Sequence, residues 1–388
     1  MKLLVLFLFL IILLGNVSVW SNDPISEIGW IARGDLARTG YYPGQIGKTK
    51  EDNKKRTIAY IGVGENEILA MDVAAPGILW RKDSYSNNGA GSTASSPIVL
   101  NGILYVAIGR KYLYAFDCLT GEELWEYKLD MFYKTDIISY KNNIYISSGN
   151  KILGLSAITG ENTFTYSGDE NTGFSSPTIF DGIMYFGGSD GDFYAIEISS
   201  KKIKWQRKIG IASYHSPIIA CNYVCFGTME GIFYALNKDT GEQKWKFNPG
   251  RKTHNYWWGA PSYNNGKIFV RTRDGFVYAL NIKTGRKVWE ISKLGDMYNS
   301  YLPVADNLVL AVSTNGYLYA ISEDTGKEKW RFDSGFPMTS SPAIAKGKVY
   351  IGPQNGIIYS LDLHTGKQIW KHPTQFGDGI VKSIAISD

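Results

Sequence analysis

Along most of the chain, short apolar runs, alternating or continuous, are broken at regular intervals by Gly, Asn, Asp and Thr. Residues 95–129, "SSPIVLNGILYVAIGRKYLYAFDCLTGEELWEYKL", hold four such runs, rich in β-branched and aromatic side chains. Runs of that kind, punctuated in that way, predict strands joined by hairpins. Asn101-Gly102 suits a two-residue hairpin because both residues accept positive φ. Equivalent turns recur at Asp181-Gly182, Asn265-Gly266 and Lys346-Gly347. The next hairpin is marked by Asp190-Gly191, Glu230-Gly231, Asp274-Gly275, Asn315-Gly316 and Asn355-Gly356. The last turn is Thr-Gly, with Asp117, Asn237, Asn281 or Asp362 three residues ahead of the Thr, placed to bond the turn's backbone. No copy carries a helical period.

The unit returns. "YAFDCLTGEELWEY" from Tyr114 reappears as "YALNKDTGEQKWKF" from Tyr234, "YALNIKTGRKVWEI" from Tyr278, "YAISEDTGKEKWRF" from Tyr319 and "YSLDLHTGKQIWKH" from Tyr359. Partial copies start at Leu69, Leu153 and Tyr194. The anchor aromatic is Trp80, Trp125, Phe164, Trp205, Trp245, Trp289, Trp330 and Trp370, in steps of 39 to 45 residues. Four antiparallel strands per copy and eight copies predict an all-β fold, an eight-bladed β-propeller over residues 58–388. The first copy (57–80) has three strands, and "GIVKSIAISD" (379–388) follows Trp370 unattached. That last strand is expected to complete the first blade and close the ring, leaving no open edge. The seven tryptophans Trp80, Trp125, Trp205, Trp245, Trp289, Trp330 and Trp370 are read as structural, each lying against the neighbouring blade's turn.

Composition changes this picture little. The 388 residues are 44% hydrophobic and 20% charged with 42 glycines, an ordinary globular balance. A net charge of +5, evenly spread, argues against a nucleic-acid partner. Residues 1–21 open with Lys2 and an apolar run from Leu3 to Leu14, too short to span a bilayer and read as a secretory signal peptide. Residues 22–57 form a lead-in segment, and the mature chain is expected to lack a membrane span, to be exported (periplasmic, cell-surface or extracellular) and to be a single ring. Cys118, Cys221 and Cys225 are an odd set; free thiols are favoured, and a disulfide stays open.

The copies resemble the PQQ-like repeat, whose A-x-D-x-x-T-G-x-x-x-W pattern is met by Ala115, Asp117, Thr120, Gly121 and Trp125. "GWIARGDLARTGYYPG" (29–44) is similar to the lead-in of secreted bacterial members, and no Trp is followed by Asp as in WD repeats. The resemblance implies one of two kinds of protein. In quinoprotein dehydrogenases, PQQ and Ca²⁺ sit on the propeller axis, with a general-base Asp and a disulfide between adjacent cysteines. The other kind is non-enzymatic envelope proteins, such as the BamB scaffold of outer-membrane protein assembly. This chain has no adjacent cysteine pair, and no matching Asp or calcium ligands can be placed.

No catalytic signature accompanies the repeats. The four histidines, His215, His254, His364 and His372, have no metal-ligand spacing, and no nucleophile elbow or phosphate loop is present. No catalytic residue, metal ligand or cofactor is therefore assigned. The segments entering each innermost strand are more informative, because they gather around the mouth of the channel. They deliver Tyr214, His215, His254, Tyr256, Trp257, Trp258, Tyr298, Tyr301 and Phe336, with Trp257 and Trp258 outside the repeated position. These side chains either plug the channel or rim a cup for a peptide or a sugar, since flat rings with polar edges suit both. The expectation is an exported, non-catalytic scaffold binding an envelope or extracellular protein; the alternatives are a carbohydrate-binding propeller and a PQQ- and calcium-dependent oxidoreductase.

Overall fold

The computed structural model describes residues 41–42, 56–64, 67–83, 95–108, 111–130, 136–212, 215–250, 259–292, 294–296, 300–374 and 381–387. Within these residues the chain forms eight sheets and no helix, numbered here as blades 1 to 8 in chain order. The innermost strands touch across six of the eight seams, and Trp125 and Trp330 bridge the other two to Ala157 O and Leu363 O, so the sheets stand in a ring as the repeat predicts. Blade 2 shows the pattern from channel to perimeter: Ile98–Leu100, Ile103–Ile108, Tyr112–Asp117 and Glu123–Lys128. Its first turn is left-handed at both residues, with φ of 52° at Asn101 and 79° at Gly102, which is why Asn-Gly recurs there. In its last turn Asp117 Oδ1 accepts from the N–H groups of Leu119 and Thr120 at 2.9 and 2.8 Å, as the sequence anticipates.

Closure is as expected. Val381–Ser387 pairs antiparallel with Ile58–Val63 as the inner strand of blade 1, with Ile61 opposite Ile384. A second device was not foreseen. Tyr41–Tyr42 lies on the channel side of that closing strand and pairs with it in parallel, Tyr41 opposite Ile386. Blade 1 thus has five strands, and both ends of the described chain meet in it.

The repeated tryptophan is the joint between blades. Trp80 Nε1 donates to Cys118 O of the next blade at 3.0 Å, and Trp125, Trp205, Trp245, Trp289 and Trp330 do the same to Ala157, Lys238, Ile282, Glu323 and Leu363 at 2.7–3.1 Å. Each of these indoles covers the glycine of the next Thr-Gly turn. A Cβ on Gly121 would stand 2.6 Å from Trp80 Cδ2, and φ there is +69°, so glycine is required twice over. Burying an aromatic removes about 150–250 Å² from water, an upper limit of ~4–6 kcal/mol per joint at roughly 25 cal/mol per Å². The closing seam is different: blade 1 puts Pro76 where six of the other blades have this glycine, and Trp370 Nε1 finds no acceptor among the described residues.

Every outer strand carries a bulge beside this aromatic. Ala115 faces Trp125 while Phe116 faces Glu123, so Leu124 is left out of the ladder. The same slip leaves out Leu79, Val288 and Ile369, and with Leu124 these account for four of the eight exposed large hydrophobics among the described residues. They are products of strand geometry, scattered around the perimeter. The apolar core lies between blades, as where Phe193 of blade 4 stacks on Phe226 of blade 5 with centroids 3.9 Å apart.

Candidate functional site at the ring axis

Eight connections must enter a crowded axis, and most do so with small polar residues. Ser175, Ser176, Ser216, Ser300, Ser340 and Ser341 are all buried there. They stitch neighbours together: Asp136 N–H donates to Ser176 Oγ at 2.7 Å, Tyr301 N–H to Ser341 Oγ at 2.7 Å, and Ser147 Oγ to Ser175 O at 2.7 Å.

Among the departures from serine, two pair with each other. Asp136 of blade 3 stands where blades 4, 5 and 8 have Ser176, Ser216 and Ser341, and Tyr301 of blade 7 stands where blades 4 and 8 have Ser175 and Ser340. The Tyr301 hydroxyl donates to Asp136 Oδ1, and Ser216 Oγ of blade 5 donates to Asp136 Oδ2 at 3.2 Å. Blades 3 and 7 are opposite one another in a ring of eight, so this bond crosses the axis. Tyr301 is 3% exposed and Asp136 5%. The half-buried His215 ring meets Tyr301 edge-on at 6.0 Å.

Arg271 completes the cluster. It ends the second strand of blade 6, at a position held elsewhere by Gly62, Ala107, Ser147, Gly187, Gly227, Val312 and Gly352. Its guanidinium is buried, and Nε donates to Ser300 O at 2.5 Å. Gly259, with φ +89°, makes the room: a Cβ there would lie 2.5 Å from Ser300 O and 3.1 Å from Arg271 Nε. Burial pulls the guanidinium down to about 9, opposed by the neighbouring Tyr301.

Of the residues the sequence singled out, Tyr301 and His215 come together at the axis. Phe336 is separate, 48% exposed on the connection from blade 7 to blade 8. Tyr214, His254, Tyr256, Trp257, Trp258 and Tyr298 lie outside the described residues. Asp136, Ser216 and Arg271 were not singled out; aligning the copies at Ser-Pro and at the second strand would have exposed the first and last as exceptions. Cys118 and Cys225 are buried free thiols and Cys221 an exposed one; burial pushes the Cys118 thiol up to about 12.

The arrangement binds blade to blade and holds a carboxylate in neutral donors. Tyr301 and Asp136 meet across the axis, and no three His, Cys, Asp or Glu side chains come together among the described residues.

The family model described as "Outer membrane protein assembly factor BamB" matches residues 64–231 and 229–385. A BamB of Legionella pneumophila (strain Paris) is 25% identical over 153 residues, 38% of this chain and 39% of that protein. A quinohemoprotein alcohol dehydrogenase of Comamonas testosteroni is 24% identical over 165 residues, 36% of this chain and 23% of that enzyme. The matches thus span well under half of either relative. The crystal structure of BamB from Moraxella catarrhalis superposes with a TM-score of 0.58 at 16% identity, covering 75% of this chain and 89% of that one, a likeness of fold.

Proposed function

This chain belongs to the PQQ-repeat propeller family whose model is described as outer membrane protein assembly factor BamB, and from that premise we propose an exported, non-catalytic scaffold that binds a partner protein. The bond from Tyr301 to Asp136 carries the reading. A propeller that works on a small molecule needs a concave, open site, and the contact of Tyr301 with Asp136 from opposite blades supports a ring without one there. The rim is then the working surface, with Phe336 as an exposed aromatic of the kind that anchors protein interfaces. Export rests on the leader-like segment at residues 1–21 and places the scaffold in the periplasm, at the cell surface or outside the cell.

A photo-crosslinking residue at Phe336, introduced in producing cells, is expected to trap one reproducible protein. The same residue at the exposed Thr284 on the opposite rim is expected to trap none. No product from Phe336 sinks the scaffold reading. The relative named quinohemoprotein alcohol dehydrogenase favours a second reading, a quinone-dependent oxidoreductase. Titrating the tryptophan fluorescence of residues 22–388 with PQQ, with and without Ca²⁺, separates the two. The scaffold gives a flat titration; saturable, calcium-dependent quenching with dye-linked alcohol oxidation gives the enzyme.

A further inference from the structure

The turns between the third and fourth strands gather on the face away from the connections that carry Tyr301 and Phe336, and each places one residue at its tip. In blade order these tips are Ala74, Leu119, Ile158, Ser199, Asp239, Lys283, Asp324 and His364. Blades 4 to 8 thus present polar or charged tips, as water-facing turns ordinarily do. Blades 1 to 3, which are neighbours, present apolar ones. Ile158 is 71% exposed, Ala74 is exposed with Ala75 and Pro76 beside it, and Leu119 is half-buried against the core between blades. Trp80 and Trp125 bond the carbonyls of Cys118 and Ala157, the residues just before Leu119 and Ile158, so the three turns are locked side by side.

The charges divide the ring in the same way. Turn segments 72–78, 117–123 and 156–162 carry Asp72, Asp117, Glu122, Glu123 and Glu161 with no Lys, Arg or His, and the three glutamates are exposed. The corresponding segments of blades 4 to 8 each contain at least one Lys. Lys141 and Lys201, which border blade 3, lie over the rings of Tyr140 and Phe164 at 5.2 and 5.5 Å. Exposed apolar side chains grouped on one face and rimmed by polar groups mark an interaction surface.

We propose that the turns of blades 1 to 3 form a docking surface for a basic amphipathic segment of another protein. Its apolar face meets Ala74, Leu119 and Ile158, and its Lys and Arg side chains meet Glu122, Glu123 and Glu161. The charges choose this occupant. An anionic membrane surface or an acidic segment is repelled by these carboxylates, whereas a basic segment is drawn in and fixed in register. Apolar anchors carried on three rigid turns suit one face of an amphipathic helix. The surface lies on the opposite face from Phe336 and goes beyond the partner reading made there.

Fluorescence anisotropy of the purified chain tests this with two labelled helical peptides as probes, one of leucine and lysine and one of leucine and glutamate. The leucine-lysine probe is expected to bind saturably and more weakly as salt rises, and the leucine-glutamate probe not to bind. Ile158→Lys and Glu161→Lys should each weaken binding about tenfold or more. Blade 6 has Lys283 and blade 7 has Lys327 at those positions, so both variants should fold as the parent does. Lys283→Ile should leave the affinity unchanged. No binding of the leucine-lysine probe, equal binding of the two probes, or an affinity indifferent to both blade 3 variants overturns the proposal. Dimers in sedimentation velocity that Ile158→Lys dissolves would make a second copy the occupant and overturn it too. Phe336 is present in every protein measured, so failure here leaves the cross-linking result at that residue untouched.

Discussion

Lys201 occupies the left-handed turn position that six other blades give to glycine, and its ammonium lies 5.5 Å from the ring centre of Phe164, the one anchor aromatic that is not tryptophan. The two departures from the repeat are one. Elsewhere an indole lies directly on the glycine; at this seam the turn, with φ +58°, carries a side chain, and the smaller ring leaves space for it.

Phe164→Trp is therefore expected to destabilise by about 1–3 kcal/mol through overpacking. Combined with Lys201→Gly, which restores the usual pair, the loss should disappear, with a coupling of about 0.5–3 kcal/mol in a double-mutant cycle. Urea unfolding of the four proteins measures it. Strict additivity would mean that the two positions vary independently.

A paired comparison isolates the indole contact itself. Gly241 and Gly347 have nearly the same φ, +71° and +70°, but a Cβ on Gly241 would meet Trp205 Cε3 at 2.6 Å, while one on Gly347 meets nothing within 4 Å. Gly347→Ala should cost about 1–2 kcal/mol for the left-handed backbone alone. Gly241→Ala should cost that and a further ~1–3 kcal/mol. Equal losses would remove the indole from the account.

At the axis, Tyr301→Phe takes one donor from a buried carboxylate and should cost about 1–3 kcal/mol. Asp136→Asn in the same chain replaces the carboxylate by a neutral group and should recover part of that loss. Chemical denaturation of the single and double variants decides. A Tyr301→Phe protein as stable as the parent would mean that the crossing bond contributes nothing.

Alkaline pH should unfold the ring. Tyr60, Tyr105, Tyr145, Tyr185 and Tyr350 occupy the same second-strand position in five blades, buried in the seams. Tyr60 and Tyr105 donate to Cys118 O and Ala157 O, the carbonyls that also receive Trp80 and Trp125. Burial raises all five phenols above their ordinary value of 10, Tyr145 and Tyr350 to about 12. An acid raised by folding is more protonated in the native state than in the unfolded one. Its stabilisation is complete below pH 10 and is lost as pH climbs from there towards the native value. Phenolate absorbance and circular dichroism should change together in one steep step above pH 10. Gradual phenolate formation in a folded protein would contradict the burial.

The ring was legible in the sequence because each local signal serves a local need: Asn101-Gly102 for two left-handed residues, Asp117 to cap a turn, Trp125 to cover the next glycine. The axial cluster was not, because its partners come from blades half a ring apart. Tyr301 and Asp136 are 165 residues distant, and no spacing rule connects them. Arg271 was hidden differently. In "VRTRDG" it sits among charges before a turn and looks like surface, whereas folding buries it. The short strand at Tyr41–Tyr42 has no alternation to betray it, since its pairing is set by the closing strand beside it.

The closing strand also orders events in time. Synthesis proceeds from the N-terminus, so the strands from Ile58 to Asp83 emerge early, yet their inner neighbour, Val381–Ser387, emerges after every other described strand. The first sheet made is the last to be finished, and its inner edge stays unpaired while the other seven blades assemble. A chain lacking Val381–Ser387 would thus keep the four strands of blade 8 and lose the inner partner of Ile58–Val63 in blade 1. For a chain still being made, that edge stays open until Val381–Ser387 is released.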